Sequence, residues 1–303
     1  MLKKIFVVMV ALCSVAMAGK HWGADNVTMK FLSMSASAKA AALSGAGVVS
    51  PSRVSEVSRN PLASSVADTA EFGLSQIVFG EGVADNYSAL YYGMPVGKHF
   101  SASLSAEFLG YKDLQGYDED GMETSEYGAY AWTFLLGLGS RNEAFNWGVS
   151  GRYAYQSIDD EAGYMIVGNI GGSYKVNEHL VFGAVLTDAG YASEYMDESN
   201  YPPMALQAGV TAIIPFHGSW KFKASADAYR RTDSENQWLL GGELSFYEIL
   251  TLRIGYAFRS EADDNTVSCG VGLAFSMIVF DYSYQPHPEL DAANHYFSVG
   301  LKF

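Results

Sequence analysis

From Phe100 to Phe108 every second side chain is apolar (Phe100, Ala102, Leu104, Ala106, Phe108), and Ser101, Ser103, Ser105 and Glu107 stand between them. In an extended chain successive side chains leave on opposite faces, so this alternation builds a strand with one apolar and one polar wall. The scheme recurs in residues 145–156, where Phe145, Trp147, Val149, Tyr153 and Tyr155 oppose Asn146, Ser150, Arg152 and Gln156. It recurs again in 220–231 and 250–259, and none of these apolar rows contains a charge. That purity points to lipid rather than to a soluble core, because Lys or Arg on a lipid face at mid-bilayer costs about 2–4 kcal/mol.

Read along the whole chain, the alternation gives fourteen segments: 69–78, 86–94, 99–111, 127–140, 145–156, 163–175, 180–189, 204–215, 220–231, 237–246, 250–259, 266–275, 278–285 and 295–303. A tilted barrel strand needs about 9–11 residues to cross the hydrocarbon, which these lengths supply. An even count returns both chain ends to the periplasmic side. The connections sort by parity as well. Those after even-numbered segments are short, whereas those after odd-numbered segments are mostly longer and hold most of the 33 acidic residues, among them Asp118, Glu119 and Asp120 in a loop predicted over 112–126. Short periplasmic turns and longer external loops have this asymmetry.

The expected fold class is therefore all-β: a transmembrane, 14-stranded, antiparallel up-and-down β-barrel over 69–303, placed in the outer membrane of a Gram-negative-type bacterium. Composition agrees, with 31 Gly, 20 Tyr and 17 Phe beside only 17% charged residues. No stretch after the leader offers the roughly 18 consecutive apolar residues of a membrane helix. The chain ends His295 to Phe303 in alternation with a terminal aromatic, which looks like the signal by which such barrels are handed to their assembly machinery.

Residues 1–18 read as a signal peptide, with Lys3 and Lys4 before an apolar run and Ala16-Met17-Ala18 at the cleavage point. The mature chain then keeps one thiol, Cys269, whose row with Val267, Val271 and Leu273 predicts a lipid-facing position. Residues 19–68 do not alternate. They are rich in Ser, Ala and Gly, allow a short helix near Ser35–Leu43, and are broken by Pro51 and Pro61. A barrel of this size is wider inside than its own side chains can fill, so this segment is expected to fold as a hatch, or plug, within it. Pairing of 237–246 with 250–259 about Glu248 would set Glu243 opposite Arg253 and Leu244 opposite Leu252, predicting a lumenal ion pair.

No catalytic constellation is present, and the chain reads as not an enzyme. The six His residues are scattered, and no His-Glu-x-x-His or paired-Cys pattern offers a metal site. Gly148-Val149-Ser150-Gly151 is not the five-residue nucleophile elbow and lies mid-strand. No cofactor is implied, and solvated charge is the ordinary account of the acidic loops, with calcium binding as the alternative. Anionic loops and a net charge of −14 argue against nucleic acid as a partner.

One resemblance bears on function. Phe31-Leu32, the run Ser37-Ala38-Lys39-Ala40-Ala41-Ala42-Leu43-Ser44-Gly45-Ala46-Gly47, and then Asn60-Pro61 resemble the opening signature of the PorV/PorQ family, relatives of the FadL fatty-acid channels. The resemblance implies a hatched 14-stranded barrel acting in type IX secretion, with Ser37, Lys39, Gly45, Gly47, Asn60 and Pro61 as the hatch motif. Its partners would be outer-membrane lipid and, at the external loops, secretion-system proteins or secreted cargo. The alternatives are FadL-like uptake of hydrophobic compounds and a passive porin. Uptake asks for an apolar lumenal pocket, whereas the predicted lumenal rows are Ser, Gly, Arg, Lys, Asp and Glu.

Overall fold

A computed structural model describes residues 26–80, 84, 86–117, 121–194, 200–216, 218–234, 236–259, 265–287 and 292–303. The leader and its cleavage point, and the acidic residues Asp118, Glu119 and Asp120, lie outside the described residues. The strands are β1 (Glu71–Val78), β2 (Asn86–Val96), β3 (Phe100–Tyr117), β4 (Glu123–Ser140), β5 (Phe145–Ile158), β6 (Glu161–Asn177) and β7 (Leu180–Ala192). They continue as β8 (Ala205–Pro215), β9 (Trp220–Arg231), β10 (Gln237–Phe246), β11 (Leu250–Arg259), β12 (Thr266–Phe275), β13 (Ile278–His287) and β14 (Ala292–Lys302). Each pairs antiparallel with its neighbours in sequence, and β1 closes on β14 from Glu71↔Lys302 to Val78↔His295. Closure leaves no unpaired edge, the condition for a sheet to stand in hydrocarbon. The chain is an all-β, 14-stranded antiparallel transmembrane barrel of the outer membrane.

The alternation settles which wall faces where. Ser101, Ser103, Ser105 and Glu107 are buried in the lumen while Phe100 and Phe108 point outward, and β11 repeats this with Arg253 inside and Leu252 and Ile254 outside. Outward rings gather toward both ends of the wall: Trp132 stacks on Tyr155 and Tyr153 on Tyr164 at the external end, and Phe100 meets Trp147 and Trp220 meets Phe246 at the periplasmic end.

Two expectations fail where the strands leave the bilayer. In place of the loop expected over 112–126, β3 and β4 run on as a two-stranded ribbon through Leu114↔Tyr127 and Tyr117↔Glu123, with register shifts after Tyr111 and Gln115. Both faces of the ribbon meet water, so no alternation marks it in the sequence. Likewise β5 and β6 run to Ile158↔Glu161 around Asp159-Asp160, with Asp159 at φ 53°.

From residue 26 on, the segment ahead of β1 lies inside the barrel and touches its whole circumference. This described part runs from the external end, where Val27 bridges Tyr201, down to β1 at the periplasmic end. A short helix, α1 (Ala38–Ala42), packs on β11–β14, and the 3-10 turn Pro61–Ser65 packs on β3–β7. The turn Val54–Glu56 packs on β1 and β2, and the link between Leu43 and Val48 closes on β8–β10. The wall makes room for this backbone with glycine. A Cβ on Gly148 would lie 2.0 Å from Pro61 O, and one on Gly255 would lie 2.1 Å from the Leu43 carbonyl carbon.

Candidate functional site

The candidate site is the lumen, where the N-terminal segment meets the wall. Each motif residue has a local task. Ser37 caps α1, its Oγ accepting from Ala40 N, which satisfies an otherwise unpaired helix-end donor. Gly45 and Gly47 take φ of +83° and +86°, the left-handed region that turns the chain after α1. Asn60 accepts from Leu62 N at 3.0 Å and donates to Val48 O at 2.8 Å, and Pro61 opens the following turn. Lys39 is buried with both Glu56 oxygens 3.1 Å from its Nζ.

The segment is tied to the wall by charge. Glu243 and Arg253 pair across β10–β11 with Nε–Oε2 at 3.0 Å, and Arg253 Nη1 donates to Asp281 Oδ1 at 2.6 Å. The other oxygen of Asp281 accepts from Arg53 Nε of the segment at 2.9 Å. Asp227 on β9 accepts from Gly47 N, Val48 N and Gln207 Nε2 at 2.9, 3.0 and 2.7 Å. Across the lumen Arg152 pairs with Asp188, which a bulge in β7 turns inward at φ 55°. Glu56, Asp281, Asp227 and Gln207 went unrecognised in the sequence. The available signal was an acid in an inward row with no base beside it on the neighbouring strands, as at Asp227 and Asp281.

A third tie of the segment lies outside the bilayer. Asp233, in the β9–β10 connection, bonds Arg231 and stands 3.2 Å from Lys30 Nζ, and Arg231 also donates to Ser33 Oγ at 2.6 Å. Burial works to push the Asp233 carboxyl up, but hydrogen bonds and charge from Arg231 and Lys30 outweigh it and hold it below the usual carboxylate range.

The lumen is not polar throughout, which corrects the reading of its rows. In the external half Ile77, Leu109, Ala131, Ala154, Met165 and Val167 point inward and pack on Met29, Phe31 and Leu32. The inward row of β3 shows the switch directly: three serines and Glu107, then Leu109. Between the segment and β8–β14 lies a cavity of about 420 Å³, walled by Met34, Phe79, Leu239, Ala257, Tyr229 and Tyr296, with Arg59 and Gln207 among its polar groups. By volume one small aromatic molecule fits, since a cavity of roughly 150 Å³ admits benzene, and the lining also carries Glu56, Arg231 and Arg259. Ser150 is buried and accepts from Asn169 Nδ2 at 2.9 Å, and no group of three His, Cys, Asp or Glu among the described residues is placed to hold a metal.

Fold and lumen define the class: an outer-membrane barrel that carries its own N-terminal segment inside. No family model matches the sequence, and no curated protein does. Among solved structures the chain is similar to the Pseudomonas putida toluene transporter TodX, with a TM-score of 0.61 at 13% identity over 87% of this chain and 97% of that one. It is also similar to the Ralstonia pickettii toluene transporter TbuX, with a TM-score of 0.60 at 11% identity over 87% and 97%. For the monoaromatic hydrocarbon channel CymD the values are 0.59, 14%, 87% and 96%. At such identities the likeness is one of fold. It nevertheless overturns the PorV/PorQ assignment and the type IX secretion role drawn from it, because the similar barrels are hydrocarbon transporters. The motif misled for a physical reason: the capping serine, turn glycines and Asn-Pro serve the local folding of the segment, a task not tied to one function.

Proposed function

We propose that this barrel admits small hydrophobic compounds across the outer membrane, with the N-terminal segment as the hatch that closes it. The observation that carries the reading is the cavity of about 420 Å³ between that segment and β8–β14, fronted by the apolar external half of the lumen. Below it, the Arg53–Asp281–Arg253–Glu243 chain and the Asp227 bonds fasten the hatch to the wall. The pairing of Glu243 with Arg253 there neutralises charge. The similar solved structures, toluene transporters and a monoaromatic hydrocarbon channel, support a compact apolar solute. The test is entry of radiolabelled toluene into cells with and without the protein, at concentrations low enough for the outer membrane to limit uptake. Faster entry with the protein is expected, together with negligible conductance in planar bilayers. Equal entry in both strains, or steady porin-like conductance, would overturn the reading.

A further inference from the structure

The outward wall is apolar or aromatic almost everywhere, which makes one region stand out. At the external ends of β1 and β2, Gln76, Asn86 and Ser88 occupy outward positions in the same rows as Leu74, Val78, Leu90 and Met94. Gln76 Nε2 donates to Asn86 Oδ1 at 2.6 Å and to Ile77 O at 3.2 Å, and Ser88 Oγ, with one proton to give, lies 2.6 Å from Gln76 Oε1 and 2.9 Å from Asn86 Oδ1. These bonds converge on the Asn86 oxygen and leave its Nδ2 group with no acceptor among the described residues. On the other side of β1, His295 of β14 lies across from Val78, and its Nδ1 meets Tyr282 Oη at 2.9 Å while Tyr284 stands edge-on to its ring. With strands about 4.8 Å apart, His295 and Asn86 flank Val78 across about 10 Å.

Their mutual bonds make these amides and the hydroxyl tolerable toward lipid, but plain anchoring of the barrel would be served by the rings used on β4–β7. The group instead offers an amide donor pair and an imidazole beside the rings of Tyr282, Tyr284 and Phe297, without Lys or Arg among the described residues. Donors beside aromatic faces suit a ring bearing many oxygens, and the absence of a fixed cation disfavours a bare phosphate. We propose that this face, β13–β14–β1–β2, binds the sugar headgroup of an outer-leaflet glycolipid. The site is separate from the lumen and independent of what passes through it.

The test compares the full-length protein with the triple variant Gln76→Leu, Asn86→Leu, Ser88→Ala and with His295→Phe, all of which place apolar groups toward lipid and spare the lumen. Heat-modifiable migration on gels checks folding. Each protein is placed in nanodiscs containing lipid A, monoglucosyl diacylglycerol or phosphatidylethanolamine, and retained lipid is counted by native mass spectrometry. The variants should lose about five-fold in retention of both sugar lipids, the scale of one net hydrogen bond, with phosphatidylethanolamine unchanged. Undiminished sugar-lipid retention, an equal loss for phosphatidylethanolamine, or disulfide-linked dimers through Ser88→Cys would each overturn the proposal, the last by assigning the face to a second copy.

Discussion

Asp281 joins the wall to the segment inside it, since one carboxylate oxygen serves Arg253 and the other Arg53. Removing one partner of a buried ion pair leaves charge uncompensated and costs about 3–5 kcal/mol. Asp281→Ala is therefore expected to lower the unfolding free energy of the detergent-folded protein in urea by an amount of that order, and a variant as stable as the parent would show the chain to be solvated rather than buried. The Asp233 tie has a pH signature. Its carboxyl is held below the ordinary range, so its contribution is complete above the unfolded value and disappears as pH falls through the folded one. Protease access near Ser33 should accordingly rise on acidification below about pH 4, the usual carboxylate range, and Asp233→Asn should show the raised access already at neutral pH. Lys39 and Arg253 were legible as charges in a motif and in an inward row. Asp281 and Asp227 were not assigned partners, because their bonds to Arg53 and Gly47 join residues 228 and 180 positions apart, a distance over which no local pattern carries information.

At the scale of elements, the strands announced themselves wherever one face met lipid, and the boundaries of β9 to β12 follow from alternation alone. The reading stopped short where that constraint ends, as in the ribbon of β3 and β4 above the membrane. The seat of the N-terminal segment was harder to read, because a wall glycine such as Gly148 looks like strand weakness until Pro61 O is seen against it. That contact gives a selective test. Gly148→Val inserts a side chain where even a Cβ would lie 2.0 Å from Pro61 O, yet it leaves the outward row of β5 unchanged. The barrel should still form, shown by heat-modifiable migration, while the displaced turn Pro61–Ser65 raises single-channel conductance well above the parent's. Unfolding of the whole barrel, or a silent bilayer trace, would mean that the turn is not what closes this part of the lumen.

For the molecule as a whole, fold and function were legible to different degrees because different surfaces encode them. The outward surface obeys one solvent, hydrocarbon, and every second residue records it; the lumen is filled by a segment remote in sequence, and its mixture of apolar and charged layers emerges only on closure. The outward surface therefore admits the most direct check. Cys269 is exposed on β12, between Ile254 of β11 and Tyr284 of β13 in the outward row, and it is the only cysteine beyond Cys13. In proteoliposomes a lipid-soluble maleimide should label Cys269, while a charged, water-soluble one should fail until the protein is denatured. In a Cys269→Ser background, Val267→Cys should behave in the same way, because it stands two residues along the same wall. In that background Ser268→Cys, buried inside and facing Ser44, should resist the lipid-soluble reagent. If Cys269 and Ser268→Cys reacted alike with the charged reagent, neither wall would be lipid-bound, and the assignment of inside and outside on which the lumenal site depends would have to be abandoned.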